Sequence, residues 1–219
     1  MQLNNDEIHV WCFGLEPRSE DWALLHESER ARAFEIGAEL RRGRFVSGRA
    51  TLRRILARYV ALGPADVRFD YDWYGKPRLA HTRDVEFNLS HSGTRALLAV
   101  ARGTVVGVDI EHIREGRRHE AIMERFFSAR EQGEVLRLPP ERRAEGFYLA
   151  WVAREALVKA LGRGVLTPRL VFPDMQVRRA TLDLDGRFAA AICWRGGRHR
   201  LVWRSVVTIG EKSNRELRI

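Results

Sequence analysis

The chain has 219 residues, 45% of them hydrophobic, with a formal net charge of +9 and an isoelectric point near 10.4. That length supports a sizeable core in one large domain or two small ones, and nothing approaches the ~18 consecutive apolar residues of a membrane span. The opening "MQLNNDEIHV" lacks a signal peptide's basic-then-apolar layout, and Cys12 and Cys193 lie far apart in apolar contexts, so the reading is a cytoplasmic protein with free thiols.

In chain order, "IHVWCFGL" (8–15) alternates like a strand, and a Glu- and Arg-rich helix is predicted from Ser19 to about Phe34. A second helix, about 39–61, carries the apolar stripe Phe45, Leu52, Ile55, Leu56 and Tyr59 and stops at Gly63-Pro64. Strand-like runs follow at 67–73, 85–90, 96–101 and 104–113. Helices are predicted at about 118–126, 129–137 and 141–161, with Pro139-Pro140 separating the last two. The tail reads as an antiparallel meander of "MQVRRATLDL", "RFAAAICW" and "HRLVWRSVVTI", turning at Asp185-Gly186 and Gly196-Gly197, before a frayed polar end "GEKSNRELRI". Helices precede strands in both halves. The predicted class is therefore α+β, with two comparable lobes dividing near residue 105 and a ligand site where they meet.

The excess positive charge suits an anionic partner: nucleic acid, an acidic protein or a phosphorylated small molecule. All but three of the 38 basic residues are arginine. Genome composition explains that skew most simply. The lysines Lys76, Lys159 and Lys212 then mark places where a compact ammonium is called for.

In "VVGVDIEHI" (105–113), strand alternation sets Asp109 and Glu111 on one face and Val108 and Ile110 on the other. Two neighbouring acids repel unless a cation lies between them, although acids at a strand end also face water or pair with arginine. The segment "FYLAWVAREALVKAL" (147–161) is apolar nearly all round, which argues for burial, and Glu155 and Lys159 share a face at i and i+4. On an exposed helix they would be an ordinary ion pair; in a buried one they belong to an internal polar site. Three carboxylates without clustered His or Cys suit a hard cation, Mg²⁺ rather than zinc. "FNLSHSG" (87–93) ends a strand in a polar turn whose Ser90, His91 and Ser92 can hydrogen-bond phosphate oxygens or simply hold the turn. No nucleophile elbow accompanies Ser90 and His91, which argues against hydrolysis. "YGKP" (74–77) places Lys76 in a turn, and Arg30, Arg44 and Arg49 on the first two helices could line an anion pocket.

Taken together these pieces resemble the 4′-phosphopantetheinyl transferases, specifically the Sfp-like, two-lobed branch. The resemblance rests on "SERARAF", "RRGRFVSGRATLRRIL", "GKP", "FNLSHSG", "GVDIE", "RFFSARE" and "WVAREALVKALGRG", in that order. It implies two α/β lobes related by pseudo-twofold symmetry with the active site between them: 1–104 binding the coenzyme A nucleotide, 105–219 carrying metal and catalytic residues. It implies transfer of the 4′-phosphopantetheine arm of coenzyme A to a serine of an apo carrier protein, with release of 3′,5′-ADP. By the same resemblance Asp109, Glu111 and Glu155 hold Mg²⁺, Glu155 serves as base for the carrier serine, and Lys159 neutralises phosphate and assists the leaving group. Ser90 and His91 bind the coenzyme A phosphates, Lys76 and Pro77 lie beside the nucleotide, and Arg30, Arg44 and Arg49 are candidates for its 3′-phosphate. The expected partners are coenzyme A and an acidic carrier protein, with no nucleic acid or membrane, and the expected state is a monomer. The family usually has lysine before the helix glutamate, where Arg154 stands here. The alternative, a basic nucleic-acid-binding protein, leaves the placement of the acids and rare lysines unexplained and lacks a nucleic-acid-binding signature.

Overall fold

Alternating apolar residues make "EIHVWCFG" a strand buried on both faces, and this strand, β1 (Glu7–Gly14), lies inside the first sheet. The computed structural model describes residues 1–116, 119–162, 174–183 and 187–205. The predicted first helix is two pieces, α1 (Asp21–Leu24) and α2 (Glu27–Phe34). The break comes at His26, whose extended backbone starts a capping box closed by Glu29. The long helix α3 (Glu39–Val60) ends on Ala61, which adopts a left-handed conformation at φ 54°. A short 3-10 turn at Pro64–Asp66 leads into the small hairpin of β2 (Phe69–Tyr71) and β3 (Pro77–Leu79), where one longer strand over 67–73 was predicted. Gly75, at φ 81°, makes the tight turn between them.

Strands β4 (Val85–Ser92) and β5 (Arg95–Arg102) pair antiparallel, and β5 pairs with β1. The "SHS" of "FNLSHSG" is therefore strand, and the turn falls after it at Gly93, with φ 58°. Next come β6 (Val106–His112), α4 (Glu120–Phe126), α5 (Ala129–Leu136) and α6 (Pro140–Ala160). β7 (Met175–Asp183) and β8 (Arg187–Arg195) complete a second sheet ordered β6-β8-β7.

The tail is not a three-stranded meander. After the turn at Gly196-Gly197 the last described strand, β9 (Arg200–Ser205), leaves its hairpin partner and runs parallel to β1, giving the first sheet the order β4-β5-β1-β9. Its apolar side chains Leu201 and Trp203 pack into the core between the two sheets. β9 thus carries the second half of the chain back onto the first sheet. The predicted turn at Asp185-Gly186, residues 163–164 of the last motif and the tail from 206 onward lie outside the described residues.

These elements stack in layers. Leu52, Ile55, Leu56 and Tyr59 of α3 cover one face of the first sheet, against Trp11, Phe87 and Leu98. Ile8, Val10, Leu97 and Ala99 on its other face meet Val108, Ile110, Phe188 and Ile192 of the second sheet. The outer face of that sheet, Ala189, Ala191 and Cys193, packs under Val152, Ala156 and Ala160 of α6. The order α3, sheet, sheet, α6 is an α+β architecture in which period-2 alternation assigns every strand residue to one layer. It also fixes where the acids of β6 point. With Val108 and Ile110 in the inter-sheet core, Gly107, Asp109 and Glu111 belong to the α6 side. At Gly107 the helix comes so close that a Cβ would overlap Ala156 O and Ala160 N and lie 2.9 Å from Ala160 Cα.

Candidate active site

Three elements meet around one cavity of about 320 Å³, lined by Leu89, Ser90 and His91 of β4, Asp109 and Glu111 of β6, and Trp151, Glu155 and Lys159 of α6. The cavity exists because β4 edges the first sheet beside β6 and α6 lies directly on β6 through Gly107. One helical turn separates Glu155 from Lys159, so both project from the same face.

A short polar chain runs along the cavity wall. Lys159 Nζ donates to Asp109 Oδ1 at 2.6 Å and to Ser90 Oγ at 2.9 Å, while Ser90 Oγ donates to the same Oδ1 at 2.7 Å. Asp109 is 3% exposed and Glu155 6%, and each keeps one buried oxygen, Asp109 Oδ2 and Glu155 Oε1, that accepts no hydrogen bond. Buried acceptors without donors are costly. Burial, then the negative charge of Asp109, pushes the Glu155 carboxyl up to about 7, against the opposing pull of Lys159. Burial also raises Glu111, against the hydrogen bond it accepts from Ser92. Surrounding protein, then the Lys159 ammonium, holds the His91 imidazole below its ordinary value. The site therefore gathers three carboxyls around the Lys159 ammonium, and its orphaned oxygens are the hard, acceptor-only donors that suit a divalent cation. Among the described residues no three carboxylate, imidazole or thiol groups converge into a ready-made metal cage. The arrangement fits a cation that completes its shell with water and substrate oxygens, which is how Mg²⁺ is usually held.

The other predicted residues lie elsewhere. Lys76 and Pro77 do not line this cavity. Lys76 Nζ instead donates to Val106 O and Ala160 O, both at 3.3 Å, tying the β2–β3 turn to the start of β6 and the C-terminal end of α6. Burial draws its ammonium below the ordinary lysine value. Arg30 is exposed on α2 and Arg44 half-buried on α3. Arg49 Nε donates to Glu29 Oε1 at 2.5 Å and its guanidinium lies 4.7 Å from the centre of the Phe69 ring, beside Arg53, which pairs with the other oxygen of Glu29. Arg49 is therefore part of an ion-paired cluster on α2 and α3 rather than of the cavity.

A sequence model of the 4′-phosphopantetheinyl transferase superfamily matches residues 105–215. The chain belongs to this superfamily. The 4′-phosphopantetheinyl transferase HetI of Nostoc sp. is 37% identical over 172 residues, covering 75% of this chain and 73% of that protein. The 4′-phosphopantetheinyl transferase psf-1 of Bacillus pumilus is 33% identical over 186 residues, 74% of this chain and 78% of its own. The 4′-phosphopantetheinyl transferase Sfp of Bacillus subtilis is 31% identical over 125 residues, 57% of this chain and 54% of its own. The resemblance read from the motifs, including its Sfp-like branch, is thereby established, and the protein is a transferase of this class. No helix among the described residues is long and apolar enough to cross a membrane.

Sequence reasoning missed several residues of this transferase's site. Trp151 and Leu89 line the cavity without carrying charge, so charge-based reading passes over them. Ser92, read from the sequence as able to bind phosphate oxygens or to hold the turn, donates to Glu111 Oε2. Asn88, whose Oδ1 accepts the Val108 N–H at 2.8 Å, was legible only as one of three polar residues at period 2 in "FNLSHS".

Proposed function

We propose that this transferase moves the 4′-phosphopantetheine arm of coenzyme A to a serine of an acidic apo carrier protein, releasing 3′,5′-ADP, in an Mg²⁺-dependent reaction. The observation that carries this reading is the convergence of Lys159, Ser90 and two orphaned carboxylate oxygens, Asp109 Oδ2 and Glu155 Oε1, on one open polar cavity. Asp109, Glu111 and Glu155 would hold the cation. Bound there, Mg²⁺ would act as Lewis acid and template for the pyrophosphate, neutralising charge between attacking and leaving oxygens.

This chain's own groups would do the rest. Lys159, held at the cavity wall by Ser90 and Asp109, would bind phosphate oxygens and stabilise negative charge on the departing phosphate, and Ser90 would join it by turning its one hydrogen from Asp109 to a phosphate oxygen. His91, whose imidazole burial and the Lys159 ammonium hold below its ordinary value, would offer a hydrogen bond at the same wall. Glu155 would take the proton of the carrier serine, directly or through water. The net charge of +9 favours approach of an acidic carrier.

Two helix-covered sheets packed back to back support two lobes related by pseudo-twofold symmetry, with a nucleotide-binding half over 1–104 and a catalytic half from 105 onward, whose last described strand, β9, crosses to the first sheet. A cytoplasmic monomer fits this picture. Under this reading Lys76 and Pro77 meet the nucleotide from the β2–β3 turn, and Arg30, Arg44 and Arg49 serve its 3′-phosphate from α2 and α3.

The test is a mass measurement on apo carrier proteins incubated with enzyme, coenzyme A and Mg²⁺. A gain equal to one phosphopantetheine is expected, abolished by Asp109→Ala, by Glu155→Ala and by chelation. Near-normal turnover in either variant, or after thorough chelation, would refute the cation assignment.

A further inference from the structure

Strand β4 places Asn88, Ser90 and Ser92 at every second position, on the face turned toward the second sheet. β4 and β6 lie side by side but are not ladder partners. They are joined through these side chains instead. Asn88 Oδ1 accepts the Val108 N–H at 2.8 Å, Ser90 Oγ donates to Asp109 Oδ1 at 2.7 Å, and Ser92 Oγ donates to Glu111 Oε2 at 2.7 Å. The partners advance together along both strands, so side chains do the work of a backbone ladder between two parallel edges.

Ser90 and Ser92 each give their hydrogen to a carboxylate, and they differ in where they lie. A serine hydroxyl owns one hydrogen. The His112 N–H donates to Ser92 Oγ at 3.1 Å, which occupies a lone pair, and the single hydrogen is committed to Glu111. Ser92 also does not line the cavity, whereas Ser90 does. Set back from the cavity wall, its hydroxyl has no phosphate oxygen to turn to. What it does have is a fixed hold on one oxygen of a carboxylate whose charged form burial disfavours.

We infer that Ser92 is a positioning residue for Glu111, acting on cation affinity through the carboxylate rather than touching substrate. The inference rests on the reading of Glu111 as a cation ligand. Outer-shell partners of metal-binding carboxylates matter on the scale of 10–100-fold in affinity. A serine that only cross-linked the two strands would change stability and leave the cation untouched.

The experiment compares Ser92→Thr with Ser92→Val, which match in shape and differ by the hydroxyl, alongside Glu111→Gln. Mn²⁺ binding is read from the electron paramagnetic resonance signal of free Mn²⁺, with coenzyme A present and no carrier, so no turnover is needed. Ser92→Val should weaken Mn²⁺ binding by roughly 10–100-fold, and Ser92→Thr should stay close to wild type. Ser92→Ala repeats the measurement without added bulk if valine disturbs the strand. Wild-type binding in Ser92→Val and Ser92→Ala together with weakened binding in Glu111→Gln would overturn the positioning role alone. Equal weakening in Thr and Val variants would also overturn it. Unchanged binding in Glu111→Gln would instead remove the ligand reading on which it rests.

Discussion

Glu155→Gln should make the metal-free protein more stable while destroying transfer. The carboxyl stands at about 7 in the folded chain against an ordinary 4.5. Between those values the folded state keeps a proton that the unfolded chain releases, so stability falls as pH rises through this window and the loss is complete above it. A shift of this size corresponds to at most about 3 kcal/mol. Glutamine has the same shape and cannot ionise, so the penalty disappears. In EDTA at about pH 8 the variant's melting temperature should exceed wild type by up to roughly 6–12 °C for a chain of this size. At about pH 5, where folded Glu155 is already protonated, most of that gain should vanish. Thermal unfolding of both proteins at the two pH values, paired with the carrier mass-shift assay, is sufficient. A gain equal at both pH values, or none at pH 8, would refute the argument that burial and Asp109 strain this carboxylate.

Gly107→Ala should cost about 1–3 kcal/mol or more, because the new methyl meets α6 backbone that cannot step aside; urea unfolding measures this, and transfer should fall with it as Glu155 and Lys159 shift relative to Asp109. Lys76→Met should cost about 1–2 kcal/mol in the same measurement, since the carbonyls of Val106 and Ala160 lose their charged donor. Lys159→Met leaves the buried Asp109 carboxylate without its ammonium and should cost about 2 kcal/mol, below the ~3–5 of a fully buried pair because the Lys159 side chain is 28% exposed; carrier modification should be lost.

Much of the site was legible in sequence because periodicity fixes faces. Alternation put Asp109 and Glu111 together and opposite Ile110, and helical spacing put Glu155 over Lys159. The all-round apolarity of 147–161 announced burial, and α6 packs on the second sheet and forms one wall of the cavity. The elements were legible for the same reason, save where a local hydrogen bond overrode pattern. The capping box at His26 split a predicted helix, and the strand character of "SHS" was hidden by residues that also favour turns.

Sequence by itself determined which residues share a face and which are too polar for the surrounding helix or strand, since those follow from backbone geometry and desolvation cost. Tertiary structure alone decided which faces meet. It sent β9 to β1 rather than onto the β7–β8 hairpin, because Leu201 and Trp203 gain burial between the sheets. It tied Lys76 to the end of α6 and Arg49 to Glu29, contacts that chemical type does not specify. It also brought β4 alongside β6, so that Ser92 holds Glu111, a contact between residues nineteen positions apart that no local pattern encodes.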